Sequence, residues 1–270
     1  MSHWLLWTFA QVSPFTLRLS VATATVGATA LVPSPACVKL ALVNAAFATF
    51  GTGDAPREVF DAVKPREIAI RVPRSIVVQQ TFQKVLVPWE PPKTRTEAGD
   101  RARAYEADLA RHHYPFKSTI AYTEIATWSG PIQIALNATG LDTQMCHRLH
   151  RLASSIRFLG KRGSFVQLLK ATSTSEPIRA RLGYARRADY VRGDDDWPAE
   201  FIQRPCDDFS QDAEFDRVNV ATSRPLRAGD DTSSVTDRLV ALPLIIPMVI
   251  ARTGKRFSQY VSSRPNDSSI

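Results

Sequence analysis

The chain predicts an α+β fold: a ferredoxin-like β-α-β-β-α-β core carrying a long insertion, followed by a β-rich C-terminal extension. Three observations lead there. Two helical patterns with clear starts, at Ser34-Pro35 and Asp142-Thr143, stand among runs rich in β-branched and aromatic residues. The strand-like runs fall before, between and after those helices in the order that such a core requires. A charged stretch, Glu90–His113, then breaks into the middle without a strong apolar stripe.

Each element has its own reason. Trp4–Leu19 mixes aromatic and β-branched residues and reads as a strand or bent hairpin broken at Pro14. Ser34 is placed to cap a helix that has Pro35 at its first position. Val38, Leu42, Ala45 and Ala46 recur at helical spacing until Gly51 closes the run. Two strand pieces follow in "REIAIRVPRSIVVQQTFQKVLVPW", parted at Pro73. Glu90–His113 is a solvated insertion or a limb that orders on a partner. "FKSTIAYTEIATWSGPIQIAL" reads as a hairpin turning at Ser129-Gly130-Pro131.

The second helix, in "LDTQMCHRLHRLASSIRFLG", is capped by Asp142 or Thr143 and turns Met145, Leu149, Leu152 and Ile156 inward, with Gly160 as its C′ residue. Ser164–Lys170 is the last core strand. Ser173–Ser234 reads as irregular with short strands, then one or two late strands and a frayed tail. The expected division is 1–172 as an RNA-recognition-like core with its insertion at about 74–116, and 173–270 as the extension. No internal repeat is visible.

Composition narrows the function classes. With 270 residues and 44% hydrophobic content, the chain can bury a full core. Its 34 Lys and Arg against 26 Asp and Glu leave a net charge of +8, which favours an anionic partner. Arginine, the main cation, suits phosphate through its planar fork. Cys37, Cys146 and Cys206 form no C-x-x-C pair, so neither a disulfide framework nor a zinc site is expected, and the natural setting is a reduced cytoplasm. The apolar start lacks a basic leader, and Leu239–Ile250 holds two prolines and is too short to span a bilayer, so no targeting or membrane segment is expected.

Few residues point to catalysis. His112, His113, Tyr114 and Lys117 are types that could cleave RNA through a 2′-OH nucleophile without a metal, yet histidines at a charged helix end also suit its dipole. His147 and His150 are spaced for a metal but lack a third ligand, and with Arg148 and Arg151 they fit a basic helix face. Asp194-Asp195-Asp196 reads as a solvated loop ahead of a magnesium site. Phosphate-binding glycine motifs and a G-x-S-x-G elbow are absent. No catalytic residue, metal or cofactor is assigned.

Binding signals are denser. Arg71, Arg74, Gln79, Gln80, Lys84, Trp89, Lys93 and Arg95 interleave cations, amides and an aromatic, which can grip phosphates, read base edges and stack a base. The helix start from Ser34 to Lys39 offers free N–H groups to a phosphate. Arg157, Lys161 and Arg162 surround the "GKRG" stretch, where glycine permits close approach to a ligand backbone.

Taken in order, "TATVGATALVPSPACVKLALVNAAF", "PFKSTIAYTEIATWSGPIQIAL" and "FLGKRGSFVQL" resemble three stretches of CRISPR-associated protein family five, over roughly Trp4 to Leu169. The resemblance implies a type I Cascade subunit of the RAMP superfamily. Such a subunit has an RNA-recognition core and an inserted thumb, here within Arg74 to Phe116, and holds the 5′ handle of the crRNA. Implied partners are that RNA, the backbone and large subunits, and target DNA indirectly. It also implies a non-catalytic role, since most members do not cleave. One branch processes precursor RNA with Tyr, Lys and His, and a metal-independent endoribonuclease is therefore the alternative reading.

Overall fold

The structure is a computed structural model that describes residues 3–18, 28–88, 116–218 and 239–263, with four positions between 103 and 110. Strand β1 (Trp4–Gln11) leads through a looser segment into helix α1 (Pro35–Phe50). Ser34 caps α1 by accepting from Cys37 N, Pro35 opens it, and Gly51 closes it at φ 76°. A second helix, α2 (Ala55–Val63), follows at once, which the sequence reading passed over. Its Val59, Phe60 and Val63 are buried, and Pro56 stands in its first turn.

Strands β2 (Ile68–Arg71), β5 (Ile132–Asn137) and β6 (Val166–Thr174), with helix α3 (Thr143–Ser154), complete the core. All neighbouring core strands are antiparallel, in the spatial order β6-β1-β5-β2. That is fourth, first, third, second, the ferredoxin-like arrangement expected of β-α-β-β-α-β. Alternation sends Leu5, Trp7, Phe9, Ile68, Ile70 and Ile134 toward the helices, where Leu42, Leu149 and Leu152 meet them. On the other face Trp4, Ala69, Ala135, Ile178 and Tyr184 form a second cluster under the 175–183 segment.

The sheet does not stop at the core. β7 (Tyr184–Arg187) pairs with β2, and β9 (Leu239–Ile246) and β8 (Ile202–Phe209) continue it to seven strands. A second sheet, in the order β10-β11-β3-β4, joins β3 (Ser75–Pro88) and β4 (Phe116–Trp128) to β10 (Met248–Gly254) and β11 (Phe257–Ser262). Its base is anchored in the main core by Ile76, Val78, Ala126, Trp128 and Tyr260. Trp128 Nε1 donates to Leu31 O at 2.9 Å, and its ring lies 5.1 Å from Phe15.

Two expectations are corrected here. Ser129-Gly130-Pro131 is not the turn of a β4–β5 hairpin: β4 pairs with β3 along its whole length, while β5 pairs with β1 and β2 in the other sheet. The chain crosses between sheets at that point, held by Ser129 N donating to Ser75 O at 3.0 Å. The limb inserted between β2 and β5 therefore includes all of β4. Gly160 is not the C′ residue of α3 either, because that helix is capped at Ser155. The Glu90–His113 stretch lies almost wholly outside the described residues.

Candidate nucleic-acid interface

The "GKRG" stretch is the tip of a small hairpin. Leu159 N donates to Ser164 O and Ser164 N to Lys161 O, closing a turn that leaves Lys161, Arg162 and Gly163 exposed. Gly160, at φ 79°, lies against the segment after β1: a Cβ there would sit 2.7 Å from Thr16 O and 3.3 Å from the Leu17 and Phe15 side chains. The close approach that glycine permits is thus to this protein's own backbone, which corrects the expected reason for it. Lys161 N donates to Thr16 O, Gly160 N to Cys37 Sγ, and the buried Ser164 hydroxyl accepts from Thr16 N. The tip is a pinned platform that offers two cations to solvent, with exposed Arg157 at its root.

The same tripeptide recurs in the C-terminal region. Lys255-Arg256 forms the two-residue turn of the β10–β11 hairpin, with Gly254, the last residue of β10, paired to Phe257 and the Phe257 ring folded over the glycine. Lys255 and Arg256 are exposed at its tip. Arg256 O accepts from Gln80 N at 2.9 Å, and its guanidinium lies 5.1 Å from the Phe82 ring centroid. Sequence reading weighed the first Gly-Lys-Arg and missed the second. The repeated tripeptide was the available signal.

Beside the second turn lies a cleft of about 310 Å³, lined by Leu17, Arg18, residues between 28 and 34, β3, and strands β8 to β11. Leu17, beside Gly160 of the first turn, also lines this cleft, as do Arg18 and the second turn. Leu17 thus links the first turn to the cleft that the second turn borders. Two acids line it as well: Asp207, and Glu124, whose Oε2 accepts from Thr29 N at 3.0 Å.

The expected binding residues divide. Gln79, Gln80, Lys84 and Arg74 are exposed along β3 and its start, and Gln80 reaches the cleft. From Gln80 onward the face of β3 and β4 that is buried at its base runs into the open, with Phe82, Leu86, Ile120 and Tyr122 exposed beside Lys84. Arg71 ends β2 on the face opposite the helices, half-buried, with Nε lacking a hydrogen-bond partner. Ser34 spends its hydroxyl on the α1 cap, though it lines the cleft. Trp89, Lys93 and Arg95 lie outside the described residues.

Lys39 is a correction. It is 1% exposed, its Nζ 2.7 Å from Asp208 Oδ1 and donating to Lys64 O at 2.8 Å, so no surface ligand can reach it. Desolvation pulls its pKa down and the carboxylate opposes that. Asp208 also holds Arg187, so this buried cluster ties α1 to β7 and β8.

The residues weighed for chemistry go to structure where they are described. Trp7 Nε1 donates to His150 Nδ1 at 3.1 Å, and His150 Nε2 stands 3.1 Å from Ser173 Oγ, so His150 leaves the expected basic face for a wedge between α3 and the sheet. Burial holds its pKa below the usual value of 6.5. Asp196 is no solvated loop residue: it is buried, pairs with Arg186 at 2.6 Å and accepts from Ala180 N. His112, His113, Tyr114 and the Lys117 side chain lie outside the described residues. Among the described residues no group of three or more His, Cys, Asp or Glu is placed to hold a metal, and no helix is long and apolar enough to cross a membrane.

No family model matches the sequence, and no curated protein matches it. Among solved structures, the chain is similar to a CRISPR protein from Archaeoglobus fulgidus at 10% identity and a TM-score of 0.45, over 96% of this chain and 92% of that one. It is also similar to a chain of the Type III-B Cmr-beta complex bound to cognate target RNA, at 8% identity and a TM-score of 0.37, over 64% of this chain and 60% of that one.

Proposed function

We propose that this protein is a non-catalytic RNA-binding subunit of a type I CRISPR surveillance complex. In that role it holds the 5′ handle of the guide RNA beside the backbone and large subunits. One observation carries the RNA-binding part: two Gly-Lys-Arg turns, 94 residues apart in sequence, each present an exposed Lys-Arg pair, and Leu17 packs beside the first while lining the cleft that the second borders. Short turns that project exposed Lys-Arg pairs suit a phosphate backbone, because the cations stand in solvent where a phosphate can reach them. The exposed aromatics and cations of the β3–β4 arm continue that surface with groups on which bases can stack. The CRISPR assignment rests on the ordered resemblance of three sequence stretches to family five.

The test is fluorescence anisotropy with a labelled repeat-derived RNA over a salt series. Lys161→Gln/Arg162→Gln and Lys255→Gln/Arg256→Gln should each lower the log–log salt slope by about 2 and weaken affinity on the order of tenfold at moderate salt. Unchanged slope and affinity in both variants would sink the reading. The same RNA incubated with the protein in EDTA should stay intact, and a discrete cleavage product would convert the role to that of a nuclease.

A further inference from the structure

We infer that the cleft between the two sheets holds one unstacked nucleotide of the bound RNA. This rests on the RNA-binding reading above but names a site and residues that it leaves open. The cleft's volume of about 310 Å³ is at the small end of ligand pockets, the size of a single nucleotide. Its inner wall is apolar, with Leu31, Val78 and Ile246 buried around it. Tyr260 is 6% exposed, and its hydroxyl accepts from Arg204 Nη2 at 3.4 Å. That long contact sets an exposed guanidinium on the lining of an apolar slot.

The chemistry matches a nucleotide better than a bare anion. A sulfate-sized ion would use the cations and leave the apolar wall unfilled, whereas a base fills the wall and its phosphate meets Arg204 and the Lys255-Arg256 turn. Phe257, 42% exposed and folded over Gly254 at the rim, offers a ring face to the base. Gln80 and Ser258 supply the neutral donors and acceptors that a base edge needs. Taking a base out of a strand forfeits its stacking, and burial in this slot with a phosphate contact is the compensation. Glu124 and Asp207 on the same lining disfavour a second phosphate, which restricts the cleft to one unit of the chain.

The experiment is an abasic scan of the repeat-derived RNA on the unmodified protein, with single 4-thiouridine substitutions for photocrosslinking. One position should lose affinity on the order of tenfold when its base is removed, and 4-thiouridine at that position should crosslink within the Lys255–Tyr260 stretch. Arg204→Gln and Phe257→Leu, both at exposed positions, should abolish that positional sensitivity while thermal melting stays unchanged. If RNA binds but every abasic position behaves alike and crosslinks fall only on the arm or the Lys161 turn, the cleft is not a nucleotide site and the RNA reading survives. If no RNA binds at all, both fall together.

Discussion

Gly160 and Gly163 flank the same two cations yet do different work. A Cβ at Gly160 meets the Thr16 carbonyl and the residue stands at φ 79°, while a Cβ at Gly163 meets nothing within 4 Å. Gly160→Ala should therefore cost about 1–3 kcal/mol in urea unfolding, and Gly163→Ala should change little. His150 gives a pH signature. Its Nδ1 must accept from Trp7, so the neutral ring is the folded form and its pKa lies below 6.5. The unfolded chain then binds the proton first, so stability is full above pH 6.5 and falls as pH drops through the folded pKa. A urea-midpoint series across that range should show the loss, and His150→Gln should flatten it. Neither role was legible in the sequence. A lone glycine or histidine shows its type, but not the carbonyl or indole that packs against it from more than a hundred residues away. Lys39 failed for the same reason: a lysine in a helix start reads as exposed until a partner such as Asp208 is known.

At the scale of elements the sequence spoke more clearly, because caps, breakers and periodicity are local. Ser34-Pro35 and Asp142 mark α1 and α3 correctly, and both side chains accept from backbone N–H groups in the first turn. Ser34→Ala should cost about 1 kcal/mol of stability by denaturant unfolding, with Ser34→Thr recovering part of it. Strand pairing is a non-local property, and there the local signal misled. Alternation made strands of β4 and β5, and a Gly-Pro turn between them suggested a hairpin. Residues 76 and 78 of β3 share a buried face with Ala126 and Trp128, so β4 finds its partner across the inserted limb, ahead of its chain neighbour. α2 escaped notice because nine residues give too short a periodic window beside the stronger pattern of α1.

For the molecule as a whole, the charges in its interior decide what can fold alone. Lys39 of α1 meets Asp208 of β8, which in turn holds Arg187 of β7. Glu67, just before β2, meets Arg186 of β7. The Lys39–Asp208 and Glu67–Arg186 pairs join residues 1–172 to residues 173–270, and β11 lies between β3 and β10 in the second sheet. A fragment of residues 1–172 would leave Lys39 and Glu67 without their counter-charges and strip β2 of β7 and β3 of β11, so it should be recovered as an insoluble or molten species lacking near-UV circular dichroism. The full chain should unfold in one transition, with tryptophan fluorescence and far-UV signals coinciding. Within that network the two ends of the Lys39–Asp208 pair are not equal. Removing Lys39 as Lys39→Met leaves Asp208 its bond to Arg187 and fills the same space with an apolar stem. Asp208→Asn leaves the buried ammonium facing little but the Lys64 carbonyl, and should cost about 3–5 kcal/mol, well above the methionine variant. Equal losses would mean that the pair acts as an isolated bridge and that Arg187 adds nothing. The larger loss at Asp208 would identify that carboxylate as the joint that fastens the C-terminal strands, and with them the second Gly-Lys-Arg turn, to the core.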